Sequence, residues 1–96
     1  MRHLLFTVRD LKADCYVVPF TDKTRAAAIR MFTDTVNAPD HTFNKHPEDF
    51  VLYELGTFDD NRAEFELSDT PIPIAKAIEM LKPMETTPLE KAIENA

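Results

Sequence analysis

Ninety-six residues, 44% hydrophobic and 29% charged, describe a globular chain with room for one domain, since domains cluster at roughly 100 to 150 residues. The single glycine, Gly56, excludes a glycine-rich phosphate loop, which needs several glycines close together, and the single cysteine, Cys15, excludes an internal disulfide. A net charge of −6 divides unevenly: residues 1–37 hold six Lys/Arg against four acids, giving +2, and residues 38–96 hold five against thirteen, giving −8. An overall acidic chain is not a bulk neutraliser of DNA, and any phosphate contact belongs to its N-terminal half.

Residues 3–9 alternate, with Leu4, Phe6 and Val8 on one face and His3, Leu5, Thr7 and Arg9 on the other, the period of a half-buried strand. Its apolar part is too short and too polar for a signal peptide or a membrane span, so a cytoplasmic protein without membrane contact is expected. After the turn at 10–14, Cys15–Val18 is a short β-branched and aromatic run that pairs back as a hairpin and ends at Pro19. Within that run Cys15 reads as a buried or half-buried thiol.

Thr21 or Asp22 caps a predicted helix with Ala28, Ile29, Phe32 and Val36 on one face, ending near Asn37, before Pro39. Arg30 and Asp34 stand at i,i+4 spacing on its wet side. Residues 38–49 lack periodicity and read as a loop. Phe50–Phe58 is the strongest strand signal, with Val51, Tyr53 and Leu55 facing one way and Leu52 and Glu54 the other. Residues 59–62 turn the chain, and Ala63, Phe65 and Leu67 alternate with Glu64 and Glu66 in a strand with one wet face.

Asp69 or Thr70 then caps a predicted second helix with Pro71 in its first turn, Ile74, Ala77, Ile78 and Leu81 as its stripe, and Pro83 as its stop. Thr87-Pro88-Leu89-Glu90 has capping-box spacing for a short tail helix. The expected fold is therefore α+β: a two-layer domain over 1–83 with an antiparallel sheet of about four strands in two hairpins. Two main helices cover one face, in the order β-β-α-β-β-α, and residues 84–96 form a tail. A domain this small has a thin core, which makes a homodimer or other homo-oligomer an expected state.

Candidate chemistry is sparse. His41 and His46 lie in the 38–49 loop with Asp40, Glu48 and Asp49, but zinc sites pair ligands from at least two clusters, so no metal is expected and helix-cap or loop-polar roles are. Cys15 with His3 on the partner strand lacks the electropositive setting of a nucleophile. Asp59 and Asp60 are adjacent in a turn and point apart. No catalytic residue and no cofactor is assigned, and the chain is read as a binding protein rather than an enzyme. The candidate nucleic-acid contacts are Arg2, Arg9, Lys12, Lys23, Arg25 and Arg30, weighed against a solvated face. The candidate partner-binding residues are His46, Glu48, Asp49, Asp59 and Asp60, because polar loop residues seldom serve packing.

The stretches Tyr16-Val17-Val18-Pro19-Phe20, Ala28-Ile29-Arg30-Met31-Phe32, Val36-Asn37, Lys45-His46-Pro47-Glu48-Asp49-Phe50, Leu52-Tyr53 and Gly56-Thr57-Phe58-Asp59-Asp60 together resemble the small nonstructural protein of gokushoviruses. These are tailless single-stranded DNA bacteriophages of the microvirus group (Microviridae). The resemblance spans about residues 5–60. It implies a nonstructural protein of the infected host bacterial cytoplasm, acting in the switch from duplex DNA replication to single-strand synthesis coupled to DNA packaging. No catalytic residues come with it. Its expected partners are single-stranded DNA or phage replication or procapsid proteins; the alternative is a purely protein-protein adaptor with no DNA contact. DNA-binding that releases about five counterions gives a log–log salt slope near −3.5, and protein docking gives no such term.

Overall fold

The computed structural model describes residues 1–83, and the tail helix expected over 87–93 lies outside the described residues. The chain runs β1 (Arg2–Asp10), β2 (Cys15–Tyr16), β3 (Phe20–Asp22), α1 (Arg25–Val36), α2 (Thr42–Lys45), a 3-10 turn (Pro47–Asp49), β4 (Phe50–Asp59), β5 (Glu64–Lys76) and α3 (Ala77–Met80). The fold is α+β with an antiparallel sheet, as expected. Its lateral order is β2-β1-β4-β5, with β3 also paired to β1, so β1 and β4 are central.

One face of the sheet carries the core. Phe6, Val8, Phe50, Leu52 and Ala75 meet Ala28, Phe32 and Val36 of α1, and Phe20, Ile29, Phe43 and Met80 pack around them. Phe6 stacks on Phe20 with ring centroids 5.9 Å apart, and Phe43 bridges Phe32 and Phe50 at 5.8 and 4.5 Å. Burial of the larger of these side chains, about 1.5–3 kcal/mol for each fully buried Phe, Leu or Val, holds the helices onto the sheet.

The first helix begins later than its sequence suggests. Thr24, not Thr21 or Asp22, is the N-cap, its hydroxyl accepting from Ala27 N at 3.0 Å, because residues 20–22 are taken up as β3 against Leu4, Leu5 and Phe6. Arg30 and Asp34 form no ion pair among the described residues. The stretch expected as a loop is ordered by its amides. Asn44 Nδ2 donates to the Val36 carbonyl at 2.9 Å and Asn37 Nδ2 to the Thr33 and Met80 carbonyls at 2.8 and 3.0 Å. The Asn44 bond satisfies a carbonyl that the end of α1 leaves free, and Asn37 ties that end to α3.

The second long helix is not there. Residues 69–76 continue β5, and only Ala77–Met80 turn helically. The reason lies in Pro71 and Pro73: the residue before each proline is pushed to extended backbone, so Thr70 and Ile72 cannot start a helix, whereas β4 offers Ile72 a place opposite Glu54.

Candidate functional site

The pairing register decides what each face of the sheet presents. Phe6 lies opposite Glu54 and Val8 opposite Leu52, on the helix side; Thr7 lies opposite Tyr53 and Leu5 opposite Gly56, on the other. Between Glu54 and Gly56 the register shifts against both β1 and β5, so Leu55 is a bulge residue. A bulge reverses the alternation beyond it, which is why Tyr53 and Phe58 share the face opposite the helices despite their spacing. Gly56, at φ +153°, tolerates this backbone; a Cβ there would lie 2.1 Å from the Glu66 carbonyl oxygen.

Among the described residues no helix lies over that second face. Tyr16, Val18, Phe65 and Leu67 are 45, 85, 62 and 63% exposed. Two open recesses flank Pro19, one of about 460 Å³ lined by Thr7, Tyr16, Val17, Val18, Leu55 and Pro71, the other of about 470 Å³ lined by Leu5, Phe20, Thr21, Phe58 and Phe65. Thr7, buried among them, donates its hydroxyl to the Val17 carbonyl at 2.7 Å, which fixes residues 17–19 beside β1. The strand expected over Cys15–Val18 is thus cut to Cys15–Tyr16, and the apolar residues after it face solvent.

The six candidate DNA contacts do not form one patch. Arg2 and Arg9 sit near opposite ends of β1, roughly 23 Å apart along an extended strand. Asp22 opposite Leu4 sets Lys23 and Arg25 at the Arg2 end, while Lys12 lies beyond Arg9 and Arg30 projects from α1. Three of the six are held by carboxylates. Arg25 grips Glu54 through two nitrogens, at 3.3 and 2.9 Å, and that contact raises the arginine pKa further. Arg9 meets Asp14 at 2.6 Å, sits over the Tyr16 ring at 5.4 Å and has its pKa raised mainly by the Tyr16 hydroxyl. Arg2 lies 3.6 Å from Glu66. Among the described residues Lys12, Lys23 and Arg30 have no carboxylate within 4.0 Å.

The candidate partner residues divide in two. Asp59 and Asp60 serve the β4–β5 turn: Asp59 Oδ1 accepts from Asn61 N at 2.9 Å. Asp60 accepts from the N-terminal ammonium and contacts His3 Nε2, each at 2.7 Å. The ammonium, then His3, holds the Asp60 carboxyl below its ordinary value. His46, Glu48 and Asp49 converge instead, with one ligand atom from each within 4.8 Å of the others, on the 3-10 turn anchored by Leu11 N to the Asp49 carbonyl at 2.8 Å. Three such donors match a divalent ion in kind, but Lys12 lines the adjoining recess of about 230 Å³ with His46 and Asp49 and opposes a cation there. His41 takes the capping role, Nδ1 accepting from Phe43 N at 3.1 Å.

Cys15 is exposed, contrary to the buried thiol expected. It pairs with Asp10 at the far end of β1 from His3, so the two cannot act together. What was not legible in advance was the apolar sheet face itself: Phe65 and Leu67 read from their alternation as the dry side of a strand with one wet face, and only the bulge and the strand order show them to be exposed.

The architecture defines a small α+β protein with helices on one sheet face and, among the described residues, an exposed apolar surface on the other. The chain belongs to the family described as Phage ORF5 protein, whose model matches residues 3–80, from β1 through the last residue of α3. No curated protein and no solved structure matches it.

Proposed function

We propose that this phage protein is a non-catalytic accessory factor of the host bacterial cytoplasm, acting in the switch to single-stranded DNA synthesis and genome packaging by association with replication or procapsid proteins. The family match over residues 3–80 carries this reading, joined to the resemblance to the gokushovirus nonstructural protein. The ion pairs favour protein over DNA as the first contact, because Arg2, Arg9 and Arg25 already have carboxylate partners and a phosphate must compete with them.

Co-purification of the full chain from infected cells, with and without nuclease, tests it. Phage replication or capsid proteins that stay bound after nuclease support the reading, and their absence from the eluate sinks it. A second reading, direct binding of single-stranded DNA, draws on Lys12, Lys23 and Arg30, which have no carboxylate partner among the described residues. Three released counterions predict a log–log salt slope of about −2, and unchanged binding by a Lys12→Ala/Lys23→Ala/Arg30→Ala variant removes that reading.

A further inference from the structure

We propose that the bare sheet face is covered by a second copy of this chain, packed face to face as a two-fold symmetric dimer.

The first ground is area. Four strand lanes about 4.8 Å apart, beside a ten-residue β4 rising about 3.3 Å per residue, give a footprint of roughly 600 Å². That is the whole face: Leu5, Thr7 and Val51 are already buried in it, and its exposed apolar surface is carried by Tyr16, Val18, Phe65 and Leu67. It stands at the upper end of the roughly 300–600 Å² that a monomer leaves open, and two such faces brought together reach about 1,200 Å² in total, the lower bound of a specific interface.

The second ground is shape. A two-fold contact needs a surface that complements itself. Here Val18, 85% exposed, and Pro19 stand between the two recesses that flank them, so one face carries both the ridge and the hollows that would receive the partner's ridge.

The third ground is charge. The register places Glu54, Asp59, Glu64 and Glu66 on the helix side, opposite Phe6, Arg2 and Thr57, away from the face to be buried. Of the basic side chains on the apolar side, Arg9 is held by Asp14 and His3 meets Asp60, which leaves Lys76, opposite Val51, without a carboxylate within 4.0 Å among the described residues. The chain's excess of acid therefore does not oppose face-to-face contact. A DNA strand laid on the same aromatic residues would find almost no phosphate contact, which ranks stacked DNA below a second copy.

The sheet edge is a poorer route to a dimer. The outer strand β5 carries Glu64, Glu66 and Asp69 along one half and Pro71 and Pro73 along the other, the features that block strand addition at an edge.

Light scattering on the full chain after size exclusion, across about 5 to 200 μM, reads the outcome. A mass near twice the 11.0 kDa protomer is expected, and Phe65→Glu/Leu67→Glu should weaken dimerisation by about 100-fold or more. Both positions are already exposed, so the variant should keep the parent's circular dichroism spectrum and melt cooperatively, with a melting temperature that no longer rises with protein concentration as the parent's does. A Glu64→Lys/Glu66→Lys variant, altered on the helix side, should remain a dimer. The proposal falls if the parent is monomeric at 200 μM, or if the Phe65/Leu67 variant is folded and still dimeric. It falls equally if the parent is monomeric and binds a labelled dT20 oligonucleotide in a way that this variant abolishes.

Discussion

Replacing Gly56 by alanine should come close to unfolding this protein. A Cβ at that position would lie 2.1 Å from the Glu66 carbonyl oxygen and 2.8 Å from Leu67 Cα, and both are backbone atoms of a paired strand that cannot swing aside. The φ of +153° is one that a residue with a side chain rarely adopts, which costs about 1–3 kcal/mol by itself. Relieving the collision means breaking the Gly56–Leu67 pairing next to the bulge, for a total of about 3–5 kcal/mol. A domain of this size has about 4–12 kcal/mol in all. Urea titration followed by circular dichroism measures it: at an m-value near 1 kcal/mol/M, the midpoint should drop by about 2 M or more, or the folded baseline should vanish. A drop smaller than about 0.5 M would refute the assigned backbone path at the bulge.

Thr24→Ala removes the hydroxyl that accepts from Ala27 N and should cost about 1 kcal/mol, whereas Thr21→Ala, outside the cap, should cost less than half of that in the same urea assay. Ala63 has φ +54° in the β4–β5 turn, so Ala63→Gly should raise stability by about 0.5 kcal/mol and the melting temperature by about 2–4 °C. Asp60, whose folded carboxyl is held below its ordinary value of 3.8 first by the N-terminal ammonium and then by His3, binds its proton less readily folded than unfolded. Its contribution is therefore present above the ordinary value and is lost as pH falls through the lower, folded one. Urea midpoints taken from about pH 6 down to about pH 3 should fall less steeply for Asp60→Ala than for the parent; parallel slopes would show that the contact carries no proton linkage.

Much of the fold was legible because local and global signals agree over it. The alternation of residues 3–9 and 50–58, and the apolar stripe Ala28, Phe32 and Val36, match β1, β4 and α1 in kind and nearly in extent. Where they disagree, pairing prevails over periodicity. Ile74, Ala77, Ile78 and Leu81 have helical spacing, yet Pro73 holds Ile72 extended and β4 supplies an unpaired edge, so the strand persists to Lys76. The ordering of residues 38–49 rests on Asn37 and Asn44 amides reaching carbonyls at the end of α1, a tertiary closure with no signature in one dimension.

The same distinction explains the candidate site. Charge type can be read along a chain, but availability cannot: Arg25 and Glu54 are 29 positions apart and become a bidentate pair only because the fold brings the first residue of α1 beside the bulge in the middle of β4. Strand alternation likewise separates two faces without saying which one the helices cover. In β5 the acidic set Glu64 and Glu66 lies on the helix side, beyond the reach of α1, and the apolar set Phe65 and Leu67 lies on the bare side. A wet face of glutamates opposite a buried face of Phe and Leu is the arrangement a single domain would use. Among the described residues the helices cover neither set, and the apolar one is exposed, which is the arrangement expected when the second layer over that face comes from another molecule.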